Sequence, residues 1–372
     1  MIRSFLPIGQ GGFAVEQFEK GKYNVVFDCG TTTRIGKRTC SDVIKDEIQR
    51  KFEPHTRIQK VFISHFHEDH FNGLPSLLEH CYVDEIYLPY LTPSEQVITL
   101  ILLQEHMKDN TGGLLQDLVT GRPLNHNESE TRISYVVPQQ FDDYMEVERS
   151  NLHIIPSGEA IKIDGKDISN DQWYFIPFAF QSEQRSAQFE RILTKIGINK
   201  TLQNDIRSKD FWNNRKVRNK VKEAYKKITS NDINLSTMTV FSGSRSKSVL
   251  QYYYEDMYRC YPPYECCKPY YPSGCLYTGD YHAVEGIEWD ALRQAYDEDW
   301  NRIGIFTIPH HGSSNYYNNE FARQRAAFII NAGYNNPYRH PNHVVLRHLI
   351  DNRCRFFWVN EHIGSMAIFR VE

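Results

Sequence analysis

The sequence predicts an α/β fold in which two sheets pack face to face with helices outside. Three observations predict it. Short runs rich in β-branched and aromatic residues alternate with helical patterns. The alternation occurs in both halves of the chain, with strands leading helices each time. The 372 residues, 40% of them hydrophobic, are enough to bury a large core.

The elements follow in order. "SFLPIG", "FAVEQFE" and "YNVVFDCG" read as strands punctuated by glycine. "CSDVIKDEIQRKF" reads as a helix with Ser41 as its cap-type residue. "IQKVFISHF" is a buried strand, and "GLPSLLEHC" a helix that accepts Pro75 in its first turn. "VDEIYLPYL" is a strand and "SEQVITLILLQEHMKD" a helix. "NLHIIPSGEAIKI" and "WYFIPFAF" return to strand. Residues 185–228 then hold 13 Lys/Arg against 4 Asp/Glu and read as two or three polar helices, including "DFWNNRKVRNKVKEAYKKI". "LSTMTVFSGS" and "GCLYTGDYH" are strands, "IEWDALRQAY" a helix, and "IGIFTIPHHGSS" a strand ending in a loop. "NNEFARQRA" reads as a helix, "AFIINAG" as a strand, "HPNHVVLRHLIDN" as a helix, and "RFFWVN" and "SMAIFRV" as closing strands. The expected organisation is one domain over residues 1–372, with a basic helical insertion at 183–230 and a Cys/Tyr-rich insertion at 250–275.

The formal net charge of −3 does not announce a nucleic-acid binder. The opening residues lack the apolar stretch of a signal peptide, and no run is long enough to span a bilayer. A cytoplasmic protein without lasting disulfides is the expectation. Cys29, Cys40, Cys81 and Cys354 read as small core residues. Cys260, Cys266, Cys267 and Cys275 cluster without the paired CxxC spacing of a zinc knot, and read as reduced thiols in an ordered hairpin.

The chemistry lies in "SHFHEDH", where an apolar strand delivers His65, His67, Asp69 and His70 to one loop. Imidazole nitrogen and carboxylate oxygen suit Zn²⁺, Mn²⁺ or Fe, and two such ions can share a nucleophile and steady a leaving oxygen. Asp280 in "CLYTGDY" and His310 and His311 in "FTIPHHGSS" end two later apolar strands in the same way.

HxHxDH is the hallmark of the metallo-β-lactamase superfamily, and the chain resembles the metallo-hydrolase domain of ComEC-type competence proteins. "IGQGGFAVEQF" with "NVVFDCG" resembles that family's opening. "NDINLSTMTVF", "LYTGDY", "IPHHGSSN", "NAGYNNPYRHPNHVVLRHL" and "FFWVNEHIGSMAIFRV" then follow in the family's order. The resemblance implies a four-layer αβ/βα sandwich with two divalent metal ions at the sheet edges, zinc first and manganese the alternative. It implies His65 and His67 on the first ion, Asp69 and His70 on the second, and Asp280 bridging. His311 would complete the second ion's shell, with His310 close enough to donate a proton or bind a phosphoryl oxygen. His340 is the rival for that last position. Three departures stand out. His67 replaces a common Asp, "GQGG" replaces GQGD, and "WYFIPFAFQ" lacks the histidine that the superfamily's third motif often supplies, with His153 the nearest substitute. Glu68 reads as a bystander facing away.

The expected activity is metal-dependent hydrolysis of a phosphodiester, with nucleic acid as the partner. A metal-held hydroxide would attack phosphorus, Asp69 would orient the water, and His310 or His311 would assist the leaving oxygen. The basic segment could neutralise phosphates, and Tyr252, Tyr253, Tyr254, Tyr258, Tyr261, Tyr264, Tyr270 and Tyr271 could stack bases. The alternatives are a small-molecule hydrolase (a phosphocholine-type or cyclic-nucleotide diester, or a lactone) and a weakly catalytic binding or regulatory module.

Overall fold

The computed structural model describes residues 1–103, 112–121, 131–138, 152–163, 173–180, 183–208, 214–227, 237–246, 249–254 and 270–372. The first half builds β1 (Ile2–Phe5), β2 (Gly11–Phe18), β3 (Tyr23–Thr31), α1 (Cys40–Lys51), β4 (Arg57–Phe62), α2 (Glu68–Phe71), α3 (Leu74–His80), β5 (Tyr82–Pro89), α4 (Pro93–Leu102), α5 (Gly112–Thr120), β6 (Arg132–Val137) and β7 (His153–Pro156). Then come β8 (Ile161–Lys162), β9 (Trp173–Ala179), and the helices α6 (Glu183–Lys195), α7 (Lys200–Arg207) and α8 (Arg215–Lys227). The rest is β10 (Met238–Ser244), β11 (Leu250–Tyr253), β12 (Tyr271–Pro272), β13 (Gly274–Tyr277), α9 (Ile287–Ala295), β14 (Ile303–Thr307), β15 (Ala327–Asn331), α10 (His343–Asp351), β16 (Arg355–Val359) and β17 (Ala367–Val371).

Two sheets result. One runs β12-β11-β17-β1-β2-β3-β4-β5-β6-β7, the other β16-β15-β14-β13-β10-β9-β8. Strands β3 to β7 are parallel, as are β13 to β16, so each sheet presents several carboxyl ends along one edge. Three apolar clusters separate the layers. The first, with Val15, Val26, Ile58 and Val61, lies between the ten-stranded sheet and its helices. The second, with Phe5, Phe27, Phe62, Phe175 and Tyr277, fills the space between the sheets. The third, with Phe241, Phe306, Phe328 and Leu292, lies under α9 and α10. Helix, sheet, sheet, helix is the expected four-layer order, and successive residues alternate between clusters because strand side chains alternate in direction.

A buried polar knot ties the sheets together. Arg3 Nε donates to Glu16 Oε1 at 2.7 Å. The hydroxyls of Tyr277 and Ser242, on the opposite sheet, donate to Glu16 at 2.9 and 2.7 Å. Trp173 Nε1 donates to Ser242 Oγ at 3.1 Å. Every member is satisfied, which is the condition under which a buried charge is tolerated.

Several local expectations change. The cap of α1 is Thr39, not Ser41, because Thr39 and Asp42 exchange hydrogen bonds in a capping box. "NNEFARQRA" forms only a 3₁₀ turn, Asn319–Arg323, capped by Asn318. The basic helices are amphipathic. Phe189, Leu193, Leu202, Ile206, Val217 and Val221 join the outer core beside α4, while Arg215, Lys216, Lys220 and Lys222 face solvent. The Cys/Tyr-rich segment opens in the ten-stranded sheet as β11, returns to it as β12 and runs into β13 of the other sheet. Tyr252, Tyr253 and Tyr271 are therefore buried and unavailable to stack bases, contrary to expectation. Cys275 is buried on β13 in the inter-sheet core. Cys260, Cys266, Cys267, Tyr258, Tyr261 and Tyr264 lie outside the described residues. Among the described residues, no helix is long and apolar enough to cross a membrane.

Candidate metal centre

The centre forms where the carboxyl ends of β3, β4, β13, β14 and β15 converge. After β4 the chain is held on both sides. Ile63 N donates to Tyr87 O at 3.0 Å, and Ser64 O accepts from Met238 N of the other sheet at 2.8 Å. His65 follows at once, His67 caps the short α2, and Asp69 and His70 lie in its single turn. This compact turn needs room. A Cβ on Gly30 would come within 2.7 Å of His70 N, and one on Gly12 within 2.8 Å of Asp28 Cβ. Any side chain at Gly12 would meet Asp28 here.

Asp28 is the residue that sequence reasoning missed. Its backbone sits at φ 54°, in the left-handed region. It accepts from Ser64 N at 2.6 Å and Ser64 Oγ at 2.9 Å, and its Oδ2 lies 2.8 Å from His70 Nδ1. That contact fixes the His70 ring and leaves Nε2 facing the centre, the usual role of an outer carboxylate behind a metal-binding histidine. A carboxylate ending the apolar run "NVVFDCG" was the available signal.

From the second sheet, Thr278 and Gly279 carry Asp280 beyond β13. Beyond β14, His310 and His311 both adopt left-handed backbone, at φ 47° and 56°. Two consecutive non-glycine residues there are costly and typical of functional turns. His310 N donates to Gly279 O at 3.0 Å, which joins this turn to the Asp280 loop. His311 Nδ1 donates to Asn331 O at 2.7 Å, leaving its Nε2 free to act as a ligand.

Asp280 divides the imidazoles between its two oxygens. His65 Nε2, His310 Nε2 and His67 Nδ1 lie 3.4, 3.6 and 4.0 Å from Oδ2. His70 Nε2 and His311 Nε2 lie 3.2 and 3.7 Å from Oδ1. Asp69 closes the second group, with Oδ2 at 3.0 Å from His311 Nε2 and Oδ1 at 4.0 Å from His70 Nε2. Among the described residues, two sets of donor atoms lie close enough to share an ion, His65–His70–Asp280 and Asp69–His70–His311, with His67 and His310 beside the first. His340 stands further back, its ring centroid 5.8 Å from that of His310 and 6.0 Å from Tyr338. Glu68 turns away toward Cys40 Sγ, 3.6 Å distant. His153 sits on the edge strand β7 beside Ser134 and takes no part. Phe180, past the end of β9, lines the cleft with His65, His67 and His310.

The electrostatics suit cations. Burial opposes charge on Asp280 and Asp69, but the surrounding imidazoles outweigh it and hold both carboxyls well below the usual range. Burial and the neighbouring His70 push His65 down to about 4, so it is a neutral ligand at pH 7. Burial also lowers His310, and takes His340 to about 4. His70 moves the other way. Asp280, Asp28 and Asp69 outweigh its burial and raise it well above 6.5. His311 is raised for the same reason, against its burial, by Asp280 and Asp69. Five buried atoms of the cluster lack a hydrogen bond: His70 Nε2, Asp280 Oδ1, His310 Nδ1, His311 Nε2 and His340 Nδ1. Orphaned donors and acceptors at ligand spacing around an ionised carboxylate fit divalent ions.

The chain shares similarity with known proteins. Residues 15–106 match the family model described as the Metallo-beta-lactamase superfamily. Over 137 residues the chain is 26% identical to ribonuclease J of Mycoplasma pneumoniae, a match that spans 36% of this chain and 23% of that relative. The metallo-beta-lactamase fold protein YhfI from Bacillus subtilis aligns over 97% of this chain and 98% of its own, at a TM-score of 0.38 and 7% identity. The layered architecture, the HxHxDH loop and the matched segment are together consistent with a metallo-β-lactamase fold.

Proposed function

We propose that the chain is a two-metal phosphodiesterase acting on nucleic acid. The observation that carries the reading is the division of imidazoles about Asp280, with three facing one oxygen and two, together with Asp69, facing the other. His65, His67 and Asp280 would hold one ion, and Asp69, His70, His311 and Asp280 the other. Zinc suits the donor set, and manganese is the alternative. Bound ions there would supply Lewis-acid charge that polarises a phosphoryl oxygen and acidifies water. The chain's own groups do the remaining work. Asp280 links the two halves, Asp28 and the Asn331 carbonyl fix the rings of His70 and His311, and Asp69, kept ionised, orients the attacking water.

The likeness to ribonuclease J supports nucleic acid as the substrate class. The exposed face of α8, with Arg215, Lys216, Lys220 and Lys222, supplies charge suited to phosphates. A ComEC-like position within the superfamily belongs to the same proposal, as does a cytoplasmic location. The free thiols of Cys29, Cys40, Cys81, Cys275 and Cys354 suit a reducing compartment. Hydrolysis of a small diester is the second reading, favoured by the burial of Tyr252, Tyr253 and Tyr271.

Elemental analysis combined with hydrolysis of bis(p-nitrophenyl) phosphate, RNA and DNA tests the proposal. The protein should carry two divalent ions and cleave the diester, and His65→Ala or His67→Ala should abolish both properties. Full diesterase activity in Asp69→Ala would overturn the mechanism. Cleavage of the small diester with no action on either nucleic acid would replace the substrate with that of the second reading.

A further inference from the structure

In the two-ion reading His65, His67 and Asp280 would give the first ion three protein donors. β9 ends in "WYFIPFAFQ", with Phe180 lining the cleft and offering no further donor. We infer that His310 is a fourth protein ligand to that ion. The inference rests on the two-ion reading above.

The distances carry it. Two donor atoms bound to one tetrahedral zinc at 2.0–2.1 Å lie about 3.4 Å apart. On Asp280 Oδ2 the three imidazole nitrogens stand at 3.4 Å for His65, 3.6 Å for His310 and 4.0 Å for His67, and His65 Nε2 lies 2.9 Å from His67 Nδ1. All three therefore face one carboxylate oxygen at separations near that edge length. His311, next in sequence, faces the other oxygen at 3.7 Å. The left-handed turn at both residues explains this division, since it sends successive side chains to different sides of one carboxylate. The rings of Tyr316 and His310 meet at right angles with centroids 4.0 Å apart, a contact that limits rotation of His310 away from the centre.

The test is zinc titration of the metal-free protein against a competing chelator, paired with absorption spectra after cobalt(II) substitution. Wild type should bind two ions. His310→Ala should weaken one of them by roughly 100-fold or more, since even outer partners of a ligand are worth 10–100-fold. The other ion should keep its affinity, and the cobalt bands of the first site should lose intensity. His311→Ala should weaken the opposite ion, and His310→Asp, which returns an anionic donor, should recover most of the affinity. His310→Gln, of similar size, serves if the alanine variant does not fold. Two ions bound by either non-ligating variant at wild-type affinity with an unchanged cobalt spectrum would overturn the assignment and leave the two-ion reading intact. Fewer than two ions in wild type would overturn that reading, and this inference with it.

Discussion

Two of the buried charged clusters among the described residues are built on opposite plans. In the knot around Arg3 and Glu16, between the sheets, guanidinium, carboxylate, hydroxyls and indole meet one another's hydrogen-bonding capacity. In the cluster around Asp280, at the sheet edge, five buried nitrogen and oxygen atoms have no such partner. Both sit in low dielectric, where an unmet polar atom costs free energy. The difference teaches how to read a buried charge. A closed network stabilises one arrangement of the sheets, and an open one is arranged for something that arrives from outside.

The comparison fails if damage to the two clusters has the same consequences. The largest expected effect is that of Asp280→Asn, which removes the carboxylate shared by both groups. Diester hydrolysis should fall on the order of 10³-fold or more, while urea denaturation of the metal-free protein shifts less than for a knot variant. Next is Glu16→Ala, which leaves Arg3 charged and unpaired in the core. It should cost about 3–5 kcal/mol in the same denaturation measurement, while the protein that remains folded keeps its metal stoichiometry. Asp28→Asn is milder. It keeps the shape and loses the charge behind His70, and calorimetry should show metal affinity lowered by roughly 10–100-fold.

The smallest effect is that of pH. In the metal-free protein the carboxylates raise His70 well above 6.5, so its stabilising charge is fully present below pH 6.5 and is lost as pH rises through the raised value. An incoming ion must displace that proton. Metal affinity should therefore rise by about tenfold per pH unit for each displaced proton across that window. The metal-free protein should lose stability over the same range while the loaded protein does not. Zinc titrations at several pH values with proton-release calorimetry check both statements.

Much of the fold was legible because the strands are strongly apolar and the metal motifs follow them directly. "SHFHEDH", "TGD" and "PHHG" each mark a carboxyl end, and the sandwich brings such ends together along one edge. Asp28 was not legible as a partner of His70, because 42 positions separate them and only the pairing of β3 with β4 closes the gap. The division of His310 and His311 between two oxygens depends on backbone angles that neighbouring histidines do not advertise. The aromatic run could serve as a stacking surface or as a packed insertion, and the pairing of β11 with β17 and β12 decides it for Tyr252, Tyr253 and Tyr271, which complete a sheet and its core. The helix expected at "NNEFARQRA" gave way to a short capped turn, for which local propensity is a weak guide.

The pairing of β17 with β1 on one side and β11 on the other has a consequence for the chain as it is made. Strands β2 to β7 can find their neighbours in the order in which they leave the ribosome, but β1 waits with one edge open until residues 367–371 appear. The wait is longer still at the chemistry. Asp69 and His70 emerge well before Asp280, and Asp28 and Ser64 emerge before them, so the contacts that fix the His70 ring can form before the carboxylate of the later strand exists.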